Sequence, residues 1–326
     1  MRVCVYGAGA IGGHLAVRLA LGGAEVSVIA RGTHLAAIQA NGLRVHAVDG
    51  EHRVKVQATG DPRAVGPVDA VFVTVKAPAL PAVAAGIGPL LKPDTAVPFV
   101  MNGIPWWYFL HLGGPHDGLG LPRIDPDNVL LKAVGPDRAV GGVVYSASAV
   151  VEPGFIEVEQ PKSRVILGEP NGTLSPRVAA LTDLIAKGGI SGEPTTEIRT
   201  EIWNKLIGNL AGGTLAVLCG SAPKTVYTEP AAREASLRMM QEAAAIAKAL
   251  GARPGENHAA RVAGQSGMDH KPSILQDLEL RRPMEIDGMF DGPLALARIA
   301  GVATPTLDLL VALCKLRARA SGLYGG

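Results

Sequence analysis

A glycine pattern at the amino terminus constrains this chain most. Arg2 to Gly13 reads RVCVYGAGAIGG, and an apolar run containing Val3, Val5 and Tyr6 leads straight into Gly7, Gly9 and Gly12. In a G-x-G-x-x-G between a strand and a helix, each glycine has its own steric task. The first makes a tight turn, the second lets the backbone approach a pyrophosphate, and the third lets the helix pack close to its strand. Unpaired N–H groups at the helix start then face the phosphates. A helix from Ala10 to Leu21 follows, with Ile11, Leu15 and Leu19 on one face. The pattern therefore predicts a dinucleotide site built by Gly7, Ala8, Gly9, Ala10, Ile11 and Gly12.

At 326 residues the chain is long for one core and comfortable for two domains. A net charge of +2 leaves no electrostatic footprint for nucleic acid or an acidic membrane. Cys4, Cys219 and Cys314 stand in apolar stretches without C-x-x-C or Cys/His spacing, which predicts buried thiols in a reducing compartment and no metal site. MRVCVYG reads as a core strand rather than a signal segment, and no apolar run reaches membrane-spanning length. A soluble, cytoplasmic protein is expected.

The first half alternates strands and helices. Glu25 to Ala30 reads as the second strand, and Arg31 stands at its end. An acidic residue there would accept from a ribose 2′-hydroxyl, whereas an arginine offers a planar fork of donors to a 2′-phosphate, so NADPH is expected over NADH. Thr33 is placed to cap the next helix. Leu43–Val48 and His52–Gln57 read as an inserted hairpin around Asp49–Gly50. Asp69 to Val75 is an unbroken apolar run of the kind buried in a parallel sheet, and it delivers Lys76; Thr95 to Met101 delivers Asn102–Gly103. Ligands collect at such strand ends. Residues 104–132 hold Trp106, Trp107, Tyr108 and Phe109 among glycines and prolines, and a loop or lid is expected. Its aromatics are compatible with a pocket wall, a dimer surface or a patch packed on the second domain. Strands are expected again at Ala139–Val151, Gly154–Glu159 and Arg164–Leu167.

From Ser175 onward helices dominate. In Thr196 to Gly213, Ile198, Ile202, Trp203, Leu206, Ile207 and Leu210 cover one side of a helix, while Lys205 and Asn209 fall at the border of that face. Such a lysine can snorkel. With an asparagine one turn on, and with Gly208, Gly212 and Gly213 expected to leave open space, it is also placed to donate to a ligand. Ser273–Ile–Leu–Gln276 has the form of a capping box, Ser273, Asp277 and Arg281 share one face, and Glu285 follows Pro283. The expected division is a doubly wound α/β domain of Rossmann type over 1–172 and a helical domain over 173–326.

Together these motifs resemble the ketopantoate reductase (2-dehydropantoate 2-reductase) family, within the 6-phosphogluconate-dehydrogenase-like group. The carriers are GAGAIG at Gly7–Gly12, Arg31, VTVKA around Lys76, Asn102–Gly103, W-x-K-L-x-x-N at Trp203–Asn209, and SILQD followed by MEID at Ser273–Asp277 and Met284–Asp287. The resemblance implies NADPH-dependent reduction of 2-dehydropantoate to pantoate, in pantothenate and coenzyme A biosynthesis, by a possible homodimer. It implies Lys205 as the acid with Glu285 beside it and near the cofactor ribose. Asn102, Asn209, Ser273 and Asp277 are implied toward substrate, and Lys76, Asn102 and Ser148 at the cofactor crevice. One position departs from the family pattern: eight residues after the lysine, where pantoate-type members carry a second asparagine, stands Gly213. That departure leaves room for another 2-oxo acid as substrate. A non-catalytic NADPH-binding regulator would have no reason to keep Lys205, Asn209 and Glu285 together.

Overall fold

A computed structural model describes residues 1–159 and 161–325. The chain divides into two units: residues 1–101 with 105–198, and residues 102–104 with 199–326. The boundary falls at Ile198/Arg199 rather than at 172/173, because the strand and helix after residue 172 join the first unit's sheet.

In the first unit the elements are β1 (Arg2–Tyr6), α1 (Ala10–Leu21), β2 (Glu25–Ile29), α2 (Gly32–Asn41), β3 (Leu43–Ala47), β4 (Gly50–Val54), β5 (Gln57–Thr59), β6 (Ala70–Val73), α3 (Leu80–Gly86) and β7 (Val97–Val100). They continue with α4 (Val129–Val134), β8 (Ala139–Tyr145), β9 (Ser148–Glu152), β10 (Phe155–Val158), β11 (Arg164–Gly168), α5 (Pro176–Lys187) and β12 (Ser191–Pro194). The main sheet runs β12-β11-β8-β7-β6-β1-β2-β5, parallel except where β11 meets β8. Its central strands are apolar on both faces, as a sheet covered on both sides requires.

The expected hairpin forms as β3 and β4, and it extends into a separate sheet of order β4-β3-β10-β9. The single strand expected over Ala139–Val151 is two, β8 and β9, because the chain leaves the main sheet after Tyr145 and joins the smaller one. Helix α1 packs between the two sheets, so closely that a Cβ on Gly13 would stand 2.2 Å from Ile156 of β10.

Residues 104–132 are mostly turns, as expected, but their aromatics form neither a lid nor an exposed dimer surface. Trp107, Tyr108 and Phe109 have no exposed surface, and the Trp106 ring meets Phe99 of β7 edge-on at 5.5 Å. Gly141 of β8 makes room for the neighbouring indole, since a Cβ there would lie 2.7 Å from the Trp107 ring. Trp106 to Phe109 are core of the first unit, while most of residues 111–120 are exposed.

The second unit is helical: α6 (Ile198–Cys219, whose first residue belongs to the first unit), α7 (Pro223–Val226), α8 (Pro230–Ala249), α9 (His258–Gln265), α10 (Ser273–Glu279), α11 (Gly292–Ala300) and α12 (Pro305–Ala320). Asp287–Asp291 forms a π-helical turn leading into α11. Cys4 and Cys314 are buried, whereas Cys219 is exposed at the end of α6, where the helix runs out of its apolar packing. Among the described residues no helix is long and apolar enough to cross a membrane.

Candidate active site

Strand β1 lies at the switch point of the main sheet, with β6 on one side and β2 on the other. Gly7 and Gly12 behind it have the steric roles that their spacing predicts. Gly7 has φ +105° and stands against Val75, where a Cβ would meet Cγ1 at 2.6 Å. A Cβ at Gly12 would lie 2.0 Å from the Gly7 carbonyl oxygen, so only glycine lets α1 start this close to the strand end. At Gly9 nothing lies within 4 Å of that position. The second glycine thus presents bare backbone at the positive end of α1, the arrangement an anionic phosphate needs.

Two residues that the sequence reading missed hold this loop. Thr74 Oγ1 donates to the Gly7 carbonyl at 2.8 Å. His34 Nε2 donates to the Ala8 carbonyl at 2.6 Å while its Nδ1 accepts from the Gly154 N–H at 3.0 Å. Those two bonds require a neutral imidazole with the proton on Nε2. A hydroxyl inside the apolar run VFVTV was the only hint of Thr74, and His34 gave none.

Arg31 is exposed and occupies the N-cap position of α2, on the same side of the sheet as the glycine loop because β1 and β2 are parallel. Thr33 lies within α2 and makes no side-chain cap, since the helix starts at Gly32. Lys76 is exposed beyond the carboxyl end of β6, next in the sheet to β1. Ser148 opens β9 in the smaller sheet, with a buried Oγ that has no hydrogen-bond partner among the described residues. Asn102 Oδ1 is likewise buried and unpartnered. An open glycine backbone at a helix N-terminus, with an exposed arginine past the second strand, fits a nicotinamide dinucleotide.

The other expected residues lie in the second unit. On α6, Trp203, Leu206, Ile207 and Leu210 are buried while Lys205 and Asn209 are half-buried at the border of that face. Burial pulls the Lys205 pKa down to about 8, against the opposing pull of the nearby Glu285 carboxylate. Glu285 is itself buried between Met284 and Ile286, immediately before the π-helical turn. Such turns recur at functional sites. Asn102 sits beside this turn, because the Ile104 N–H donates to the Gly288 carbonyl at 2.9 Å and a Cβ on Gly103 would lie 2.5 Å from Gly288 backbone. From the carboxyl terminus, the Tyr324 hydroxyl lies 3.1 Å from Asp287 Oδ1 and 2.9 Å from Asp291 Oδ2.

Three details of the α6 region differ from expectation. Ser273 is the exposed first residue of α10 with Pro272 at the cap position, so no capping box forms; Asp277, one turn on, is buried. The glycines of α6 do not leave open space. Gly208 and Gly212 seat the Gln265 side chain of α9, with a Cβ at either position only 3.3 Å from its amide, and a Cβ on Gly213 would lie 3.2 Å from Ile274 Cγ2. The absent side chain at 213 is therefore filled by an isoleucine, and α10 rests directly on α6.

The family model "Ketopantoate reductase PanE/ApbA" matches residues 3–172, and its carboxyl-terminal companion matches residues 197–318. A 2-dehydropantoate 2-reductase of Mesorhizobium japonicum is 41% identical over 99% of this chain and 100% of its own. A solved ketopantoate reductase-like protein of Ralstonia solanacearum MolK2 superposes with a TM-score of 0.92 at 40% identity, covering 99% of each chain. A solved 2-dehydropantoate 2-reductase of Geobacter metallireducens superposes with a TM-score of 0.85 at 26% identity, over 97% of this chain and 99% of the other.

Proposed function

The chain belongs to the ketopantoate reductase PanE/ApbA family of oxidoreductases, and from that premise we propose that it reduces 2-dehydropantoate to pantoate with NADPH. The observation that carries the chemistry is the half-buried Lys205 ammonium within the electrostatic reach of the buried Glu285 carboxylate. Reduction of a 2-oxo group needs a hydride at carbon and a proton at oxygen. When bound, NADPH supplies the hydride. The glycine loop from Gly7 to Gly12 would hold its pyrophosphate, Arg31 would meet the 2′-phosphate with a fork of donors, and Lys76 and Ser148 would complete the cradle.

Lys205 acts on the oxygen. As the carbonyl carbon gains hydride, its π electrons move onto oxygen, and the ammonium first donates a hydrogen bond and then gives up its proton. Its lowered pKa suits that task. An ordinary lysine is too weak an acid to transfer readily near neutrality, whereas one near 8 is still charged and gives its proton more easily. Glu285 keeps the lysine charged despite burial. Asn102, Asn209, Ser273 and Asp277 orient the acid. Gly213, covered by Ile274, favours a second reading in which the preferred substrate is a 2-oxo acid with an apolar tail. Mixing the protein with NADPH and 2-dehydropantoate tests the assignment: pantoate should appear mole for mole with NADPH lost, and NADPH loss without pantoate would overturn it.

A further inference from the structure

Helix α9 approaches α6 on the face that carries Lys205. Counting along the helix, Gly208 and Gly212 lie about 60° and about 20° to one side of Lys205, and Asn209 about 40° to the other. The Gln265 side chain covers the two glycines, so it stands across the Lys205 stripe from Asn209.

This placement is fixed at several points. Arg261, one turn earlier on α9, donates to the Asn204 carbonyl at 2.5 Å, and Asn204 Oδ1 accepts from the Gly255 N–H at 3.0 Å. Gln265 Oε1 accepts from the Tyr227 hydroxyl at 3.0 Å, and Tyr227 is buried against Ser236 Oγ at 2.9 Å. With its oxygen thus engaged, the amide turns Nε2 toward α6, where one hydrogen goes to the Gly208 carbonyl at 3.4 Å. The second hydrogen is donated to no protein group among the described residues.

We propose that Gln265 is a substrate-contacting, specificity-determining residue whose free N–H recognises the terminal hydroxyl oxygen of the substrate. The inference rests on the 2-oxo acid reductase reading of this same site. It assigns to α9 the polar contact that position 213, a glycine under Ile274, does not make. Gly208 and Gly212 are what allow a glutamine from a neighbouring helix to lie flat enough on α6 to reach the stripe.

The test compares two substrates that differ only in that hydroxyl: 2-dehydropantoate, which is 4-hydroxy-3,3-dimethyl-2-oxobutanoate, and 3,3-dimethyl-2-oxobutanoate. Each is assayed with the full-length enzyme at saturating NADPH, as wild type and as Gln265→Leu and Gln265→Met. The expected result is a loss of roughly ten-fold in kcat/KM for the hydroxylated acid, with the deoxy acid little changed. An equal loss with both acids would make Gln265 a packing residue and overturn the proposal, as would no loss with either. If one variant fails to fold, the other decides, since both retain the volume over Gly208 and Gly212. Wild-type enzyme that turns over neither acid would instead refute the functional reading beneath it.

Discussion

Replacing Glu285 by glutamine tests the catalytic pair more sharply than deleting the lysine. At saturating NADPH, kcat/KM for the 2-oxo acid should be full where Lys205 is protonated and fall about ten-fold per pH unit above about 8. Glu285 raises the lysine's pKa while burial lowers it. Removing the negative charge therefore leaves the burial penalty unopposed and makes the ammonium harder to keep. Over a separation of roughly 4–8 Å at an effective dielectric near 20, a unit charge is worth about 2–4 kcal/mol, and therefore about 1.5–3 pH units. In Glu285→Gln the alkaline limb should move down by about that much, into the weakly acidic range. Stopped-flow loss of NADPH absorbance across a pH series gives the profile. A limb that stays near 8, or moves up, would refute the pairing; a uniform drop in rate with an unmoved limb would leave Glu285 a merely structural carboxylate.

Three further outcomes follow from the same geometry. Gly9→Ala should fold with an unchanged Tm, because nothing lies within 4 Å of the new methyl, yet bind NADPH at least about ten-fold more weakly; Gly12→Ala, whose methyl would collide with the Gly7 carbonyl, should lose Tm as well, and thermal melts beside cofactor titrations separate the two. Arg31→Ala should cut the NADPH over NADH preference by about ten- to a hundred-fold, read as the ratio of kcat/KM values, and an unaltered ratio would remove Arg31 from cofactor selection. Trp107→Ala should destabilise the first unit by about 3–5 kcal/mol in urea unfolding, since the ring is fully buried over Gly141; a loss under about 1 kcal/mol would contradict its place in the core.

The parts of this fold that were legible in the sequence are those set by local rules. Strand periodicity and the spacing of Gly7, Gly9 and Gly12 identified the first crossover unit, since each glycine answers a clash within a few residues of itself. The alternation along α6 placed Lys205 and Asn209 at the border of its buried face for the same reason. What escaped depends on long-range packing. Nothing near Trp106–Phe109 in the chain says that β8 carries a glycine to receive an indole, so the loop was legible but the burial of its aromatics in the first unit was not. Gly208 and Gly212 look like empty space until α9, more than fifty residues on, lays Gln265 across them. The break between β8 and β9, where one apolar run serves two sheets, likewise depends on which partner strand each half finds.

We propose that this chain is an NADPH-dependent reductase of 2-dehydropantoate. The measurement that decides it is kcat/KM for 2-dehydropantoate beside a panel of other 2-oxo acids, with NADPH and then NADH, using the purified full-length protein. The value for 2-dehydropantoate with NADPH should stand well above every other combination. Comparable or better turnover of another 2-oxo acid would contradict it, and would place Gly213 and Ile274, rather than the family's substrate, in charge of what this enzyme reduces.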